Sequence, residues 1–232
     1  MKLATCLIVL PLLVCFAPFA AAADCDAIVH PEITVQTEEG PVREDRSLPL
    51  AELSKIPSAS RRAGMEAYDR TLGLTEADIG AKANIELLTV EQPGGGYCTT
   101  ARSAAIVLKW NTVVHIAAQI PPGSCIDKVV SGHEQKHVAI DRELVPIARQ
   151  AIELALTSVI RHGMEGNSVA DSQQKLQVEA RAAINDAIDI FAVVRTRRQL
   201  ALDNKDEYDR VPRSCGILEY MRVLRDDKKV GS

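Results

Sequence analysis

The chain has 232 residues, 27 basic and 31 acidic side chains and a net charge of −4, with both signs interspersed, which argues against a nucleic-acid surface. No run after the first 23 residues is long and apolar enough to span a bilayer. The length suits one domain that buries its own core.

Residues 1–23 read as an export signal. Lys2 gives the positive start, Leu7 to Phe19 is almost wholly apolar, and Ala20 to Ala23 supplies the small residues that signal peptidase accepts. Pro11 and Pro18 interrupt the run and no basic flank follows it, so cleavage before Asp24 is expected rather than a membrane anchor. The mature chain is then a single domain, 24–232, whose first segment, 24–80, carries the weakest pattern. Its expected setting is the periplasm or the exterior, with no membrane or nucleic-acid partner. Of six cysteines, Cys25, Cys98, Cys125 and Cys215 survive cleavage, which implies two disulfides.

Ile33, Val35 and Thr37 alternate with polar neighbours and predict a half-buried strand over Glu32 to Thr37. Pro41 to Pro49 reads as loop. From Leu50 to Gly80 the pattern is weakly helical and interrupted by Pro57, Gly64 and Gly73, so only short helices are expected. Asn84 to Glu91 and Ser103 to Lys109 flank Pro93-Gly94-Gly95-Gly96 and are rich in aliphatic and β-branched residues, which predicts two paired strands. Thr112 to Ile120 predicts a third, reached by a tight turn at Trp110-Asn111. Four cysteines permit three pairings. A hairpin turning at that point carries Cys98 and Cys125 toward each other and favours a bridge between them, with Cys25 and Cys215 joining the termini.

Ser124 followed by Asp127 has the spacing of a capped helix start, and the helix runs on through residues 133 to 137, kinks at Pro146 and closes at Gly163 and Gly166. Ser168 and Asp171 repeat the signature, and Leu176, Ala180, Ile184, Ala187, Phe191 and Val194 recur at helical spacing. The expected class is therefore α+β, a small antiparallel sheet packed on two long helices.

The chemistry resides in His133-Glu134-Gln135-Lys136-His137. Two histidines four apart on a helix project from one face, where both imidazoles reach a single zinc ion. Glu134 stands one position round, beside the metal rather than on it, and so suits the general base of a zinc-dependent peptidase acting on a peptide or protein substrate. The plainer alternative is a solvated helix face. The position six residues after His137 is Glu143, so the third ligand is not the histidine of one peptidase subclass. Glu179 on the second helix is one acidic candidate and also reads as an ordinary surface charge. Asp203, Asp206, Glu207 and Asp209 are others, although Asp203 with Asp206 or Glu207 also reads as a helix cap; we take Asp209 as the ligand. Asp141, one turn after His137, is placed to support a ligand histidine or to make an ordinary surface pair. His115 shares a strand face with Val113 and Ala117 and reads first as structural.

Gly96-Tyr97-Cys98, Val114-His115-Ile116-Ala117, Pro122-Gly123-Ser124-Cys125 and His133 to Val138, with Leu202 to Arg210 and the closing Cys215, resemble a group of exported proteobacterial His-Glu-x-x-His proteins of unknown function related to the domain-of-unknown-function 922 family. The resemblance covers roughly residues 71 to 215. It implies a zincin-like fold with His133 and His137 on the metal and Glu134 as base. That family carries a Tyr-Asp followed by a threonine and a His-Gly pair, whereas Tyr208-Asp209 is followed here by Arg210-Val211-Pro212-Arg213. If the missing histidine is a ligand in the relatives, this chain uses an acidic residue instead or binds zinc less fully. The alternative function is a non-catalytic zinc-binding envelope protein or adaptor.

Overall fold

The computed structural model describes Cys25 and residues 30–56 and 71–230. The expected export signal and the stretch 57–70 lie outside the described residues. One sheet holds β1 (Glu32–Glu39), β2 (Arg43–Asp45), β3 (Gly73–Glu91), β4 (Tyr97–Ile116) and β5 (Met164–Gly166). β4 is its axis. Antiparallel β3 covers one edge of β4 from Gly73↔Ile116 to Glu91↔Tyr97. The other edge is shared by β5, antiparallel, and by β1 and β2, both parallel to β4.

This corrects the expected small antiparallel sheet. The sheet is mixed, and its two longest strands, β3 and β4, are 19 and 20 residues long. Two reversals of the chain separate β2 from β4, so they run the same way, and the intervening residues supply the length that a parallel connection needs. Period-two alternation located β1 but says nothing of its partner's direction.

The expected turn at Trp110-Asn111 is absent, because β4 runs straight through it. Trp110 pairs with Ile79 on one side and Glu39 on the other, and its buried ring meets Phe191 edge-on at 5.4 Å. A strand bonded on both edges with an aromatic anchored in the core has every reason to continue. Likewise Gly73 to Gly80 is strand rather than helix. From Ala104 to Ile116 the even-numbered residues of β4 are buried against the helices.

The helices are α1 (Leu50–Leu53), α2 (Cys125–His162), α3 (Val169–Leu202), α4 (Lys205–Tyr208), α5 (Arg210–Cys215) and α6 (Ile217–Val230). α2 and α3 begin where their caps predicted: Ser124 Oγ accepts from the Asp127 N–H at 3.1 Å, and Ser168 Oγ from the Asp171 N–H at 3.2 Å. Each aspartate reaches one residue further back than a capping box requires, to the N–H of Gly123 and of Asn167. α2 continues past Pro146 and ends at Gly163, whose φ of 59° suits glycine, and a Cβ there would lie 3.0 Å from the Thr99 carbonyl oxygen. The main core joins Ile106, Leu108 and Trp110 of β4 to Ile152, Leu156 and Ile160 of α2 and to Leu176, Ile184 and Phe191 of α3. A second cluster, with Leu50, Val114, Ile126, Val130, Val138, Val211 and Val223, holds the first half of α2.

Asp127 also ties the head of α2 to the loop after β2, through Arg46 Nη2 at 2.6 Å. Burial pushes its carboxyl up, but Arg46 and the Gly123 N–H outweigh burial and hold it below its ordinary value of 3.8. A lowered carboxylate contributes stability above the unfolded value and loses it as pH falls toward the folded one. Urea titrations of wild type and Asp127→Asn should therefore show stability curves that converge below pH 3.8. A gap independent of pH would remove the ion pair from the account.

The disulfides are Cys25–Cys98 and Cys125–Cys215, with Cα atoms 5.7 and 5.5 Å apart, which corrects the pairing favoured above. Without a turn at residue 110, Cys98 and the end of β4 are separated by about 60 Å of extended strand, so Cys98 and Cys125 stand at opposite ends. Two disulfides fit an exported protein. Among the described residues no helix is long and apolar enough to cross a membrane.

Candidate metal centre

Two rows of polar residues face each other across the antiparallel α2–α3 pair. His133, His137 and Asp141 form the row on α2; Arg195, Gln199 and Asp203, the last just past the end of the helix, form the row on α3. At 3.6 residues per turn, residues four apart return to nearly the same face. His133 meets Asp203, His137 meets Asp203 and Gln199, and Asp141 meets Gln199 and Arg195.

Three atoms converge at one end of these rows. Asp203 Oδ1 lies 3.1 Å from His133 Nε2 and 2.9 Å from His137 Nε2, and the two nitrogens are 3.0 Å apart. The other ring nitrogens are occupied. His137 Nδ1 is hydrogen-bonded to Gln199 Oε1, and His133 Nδ1 faces Glu207 Oε2 at 3.4 Å. Burial pushes the Glu207 carboxyl up, but Lys136 and Arg210, at 2.7 and 2.9 Å, outweigh it and bring it down to about 2, which makes it an acceptor only. With both Nδ1 atoms donating, three lone-pair atoms face one another, an arrangement that requires a proton or a cation between them. Burial pushes the His137 imidazolium down; Asp203, Glu134 and Gln199 outweigh that and leave it above its ordinary value. Ligands of one tetrahedral ion at about 2.0–2.2 Å stand roughly 3.3–3.5 Å apart, so this triangle needs to open by only a few tenths of an ångström to hold one. His133, His137 and Asp203 thus form a group that could hold a metal ion.

Glu134 stands outside the triangle, 3% exposed. Its Oε2 accepts from Thr75 Oγ1 of β3 at 2.8 Å. Burial raises its carboxyl above the ordinary value, against the pull of His137, His133 and Thr75. Gly73 makes the close approach possible, because a Cβ there would lie 2.7 Å from both Glu134 Oε1 and Val130 Cγ1. Gly73→Ala should therefore destabilise by about 1–3 kcal/mol through overcrowding. Gly80→Ala, on the same strand with nothing within 4 Å, serves as the control. Equal urea midpoints for the two variants would contradict the packing described.

The structure brings His133 and His137 together with Glu134 beside them and puts Asp203, not the expected Asp209, in the third position. Asp209 lies beyond α4 and pairs with Lys205 and Arg213, whose proximity, Lys205 foremost, lowers its carboxyl. The Asp203 carboxylate is released from capping because Asn204 does that work, its Oδ1 accepting from the Glu207 N–H at 3.1 Å. Glu179 is exposed and lies twenty residues before Gln199 on the same helix, about 30 Å from the triangle. His115 is buried between Asp45 and Glu76, with ring nitrogens 3.2 and 3.3 Å from their carboxylates, apart from the triangle. Asp141 supports His137 through Gln199 rather than directly. Neither Gln199 nor Thr75 carries a signal in the sequence; each is placed at the site by a contact with a distant segment, Gln199 with His137 and Thr75 with Glu134.

No family model, curated protein or solved structure matches the chain.

Proposed function

We propose that the protein is an exported zinc-dependent peptidase, acting in the periplasm or outside the cell on peptide or amide bonds. The observation that carries this reading is the convergence of two imidazole nitrogens and one carboxylate oxygen within 3.1 Å, with a second carboxylate, Glu134, held close by but off the triangle. Two histidines and one carboxylate form a ligand set used by hydrolytic zinc sites, and three protein donors leave a coordination position open. Bound zinc supplies polarisation of the scissile carbonyl and a lowered pKa for water. Glu134 takes a proton from the attacking water at a carboxylate oxygen and passes it to the leaving amine. Thr75 and Gly73 keep that carboxylate from drifting. Among the described strands β3 pairs only with β4, so its other edge offers backbone groups to an extended substrate beside Glu134. The resemblance to the 922-related proteins points to the same two histidines and the same base.

The burial of Glu134 favours a second reading, a zinc-binding envelope protein or adaptor without hydrolytic activity. Elemental analysis of protein purified without chelators, with a fluorescent unfolded-protein assay before and after EDTA, separates the two. One zinc per chain with chelator-sensitive hydrolysis supports the peptidase. Zinc without hydrolysis supports the adaptor, and absence of zinc ends both.

A further inference from the structure

We infer that Gln199 is a positioning residue that dictates which nitrogen of His137 is offered to the metal; this rests on the metal reading above. A carboxamide has one accepting and one donating end, and here its direction is fixed by what surrounds it. The Gln199 Nε2 group donates to the His137 backbone carbonyl at 3.2 Å and to Asp141 Oδ1 at 2.5 Å. A carbonyl oxygen and a carboxylate oxygen are both acceptors. That carboxylate is also held by Arg195, whose Nε and Nη2 donate to Oδ1 and Oδ2, each at 2.8 Å, which keeps it an acceptor. Turning the amide over would set its oxygen against two acceptors and its NH₂ against the imidazole. Oε1 is thereby fixed toward His137 Nδ1, which must carry the proton, and the lone pair falls on Nε2, the atom that faces Asp203 and His133.

Gln199 is 6%, Asp141 1% and His137 6% exposed, so water does not compete for these bonds and the polarity passes from Arg195 through Asp141 and Gln199 to the ring. Loss of an outer partner of a ligating histidine weakens metal affinity by about 10–100-fold.

The test is zinc affinity by competition with a chromophoric chelator, for wild type, Gln199→Leu, Gln199→Met, Asp141→Asn and the double variant Asp141→Asn/Gln199→Leu. A 10–100-fold weaker Kd is expected for both Gln199 variants. Asp141→Asn should weaken binding less, and the double variant should be no weaker than Gln199→Leu, since Asp141 acts through Gln199. Proton NMR of the zinc-loaded wild type should show a slowly exchanging His137 Nδ1–H resonance that disappears in Gln199→Met. A network serving only to join α2 to α3 would lower the melting temperature of these variants and leave the Kd unmoved. Zinc affinity within twofold of wild type in both Gln199 variants overturns the inference alone. Failure of the wild type to bind zinc overturns the metal reading and this inference with it.

Discussion

Glu134→Gln should lose about 10²–10⁴-fold in hydrolysis, the span of general acid–base catalysis, while keeping one zinc per chain. The two outcomes separate because the Glu134 side chain takes no part in the triangle of His133, His137 and Asp203. Glutamine keeps the carbonyl oxygen that accepts from Thr75 and nearly the same volume beside Gly73, so the fold has no reason to change. What disappears is an oxygen able to hold a proton and release it. Loss of the metal in this variant would place Glu134 among the ligands, and retained hydrolysis would move the base elsewhere.

Asp203→Asn should weaken zinc binding by more than about 100-fold, because it removes an anionic ligand rather than an outer partner of one. Shape and helix end are preserved, since Asn204 caps α4 without help from Asp203. Asp209→Asn, six residues on, should leave affinity within twofold, because Asp209 is engaged with Lys205 and Arg213. Isothermal titration of the metal-free proteins checks both. The reverse ranking would restore Asp209 as the ligand.

The helices were the most legible part of the chain. Ser124 and Ser168 cap where their spacing with Asp127 and Asp171 predicted, since capping is local chemistry written within four residues. The strands were read less well for an equally physical reason. Asn84 to Glu91 and Ser103 to Lys109 do lie on paired strands, although only Asn84 to Glu86 meets Ser103 to Ala105, and Trp110-Asn111 looks like a turn only while its partners are unknown. Ile79 and Glu39, which pair with Trp110 on either side, and Phe191, which packs on its ring, come from three distant segments. The misplaced turn then misplaced the cysteines. In the site, His133, Glu134 and His137 are legible because one helix turn holds all three. Asp203 stands among the acidic candidates but its spacing also fits a cap, and its neighbour Asn204 resolves the ambiguity only once the hydrogen bond to the Glu207 N–H is seen. Gln199 and Thr75 act through contacts 62 and 59 residues away in the chain, beyond the reach of any local spacing.

The Cys125–Cys215 bridge closes a span of 90 residues that contains every member of the metal triangle. It fastens the head of α2 to the end of α5, so the tail bearing Asp203 and Glu207 is leashed to the helix bearing the histidines. Chain-entropy reasoning assigns a loop near this size about 4–5 kcal/mol of restraint on the unfolded chain. With those thiols reduced that leash is missing, and the two halves of the centre are held together only by the long way round the chain through β5 and by the packing of α3 on α2.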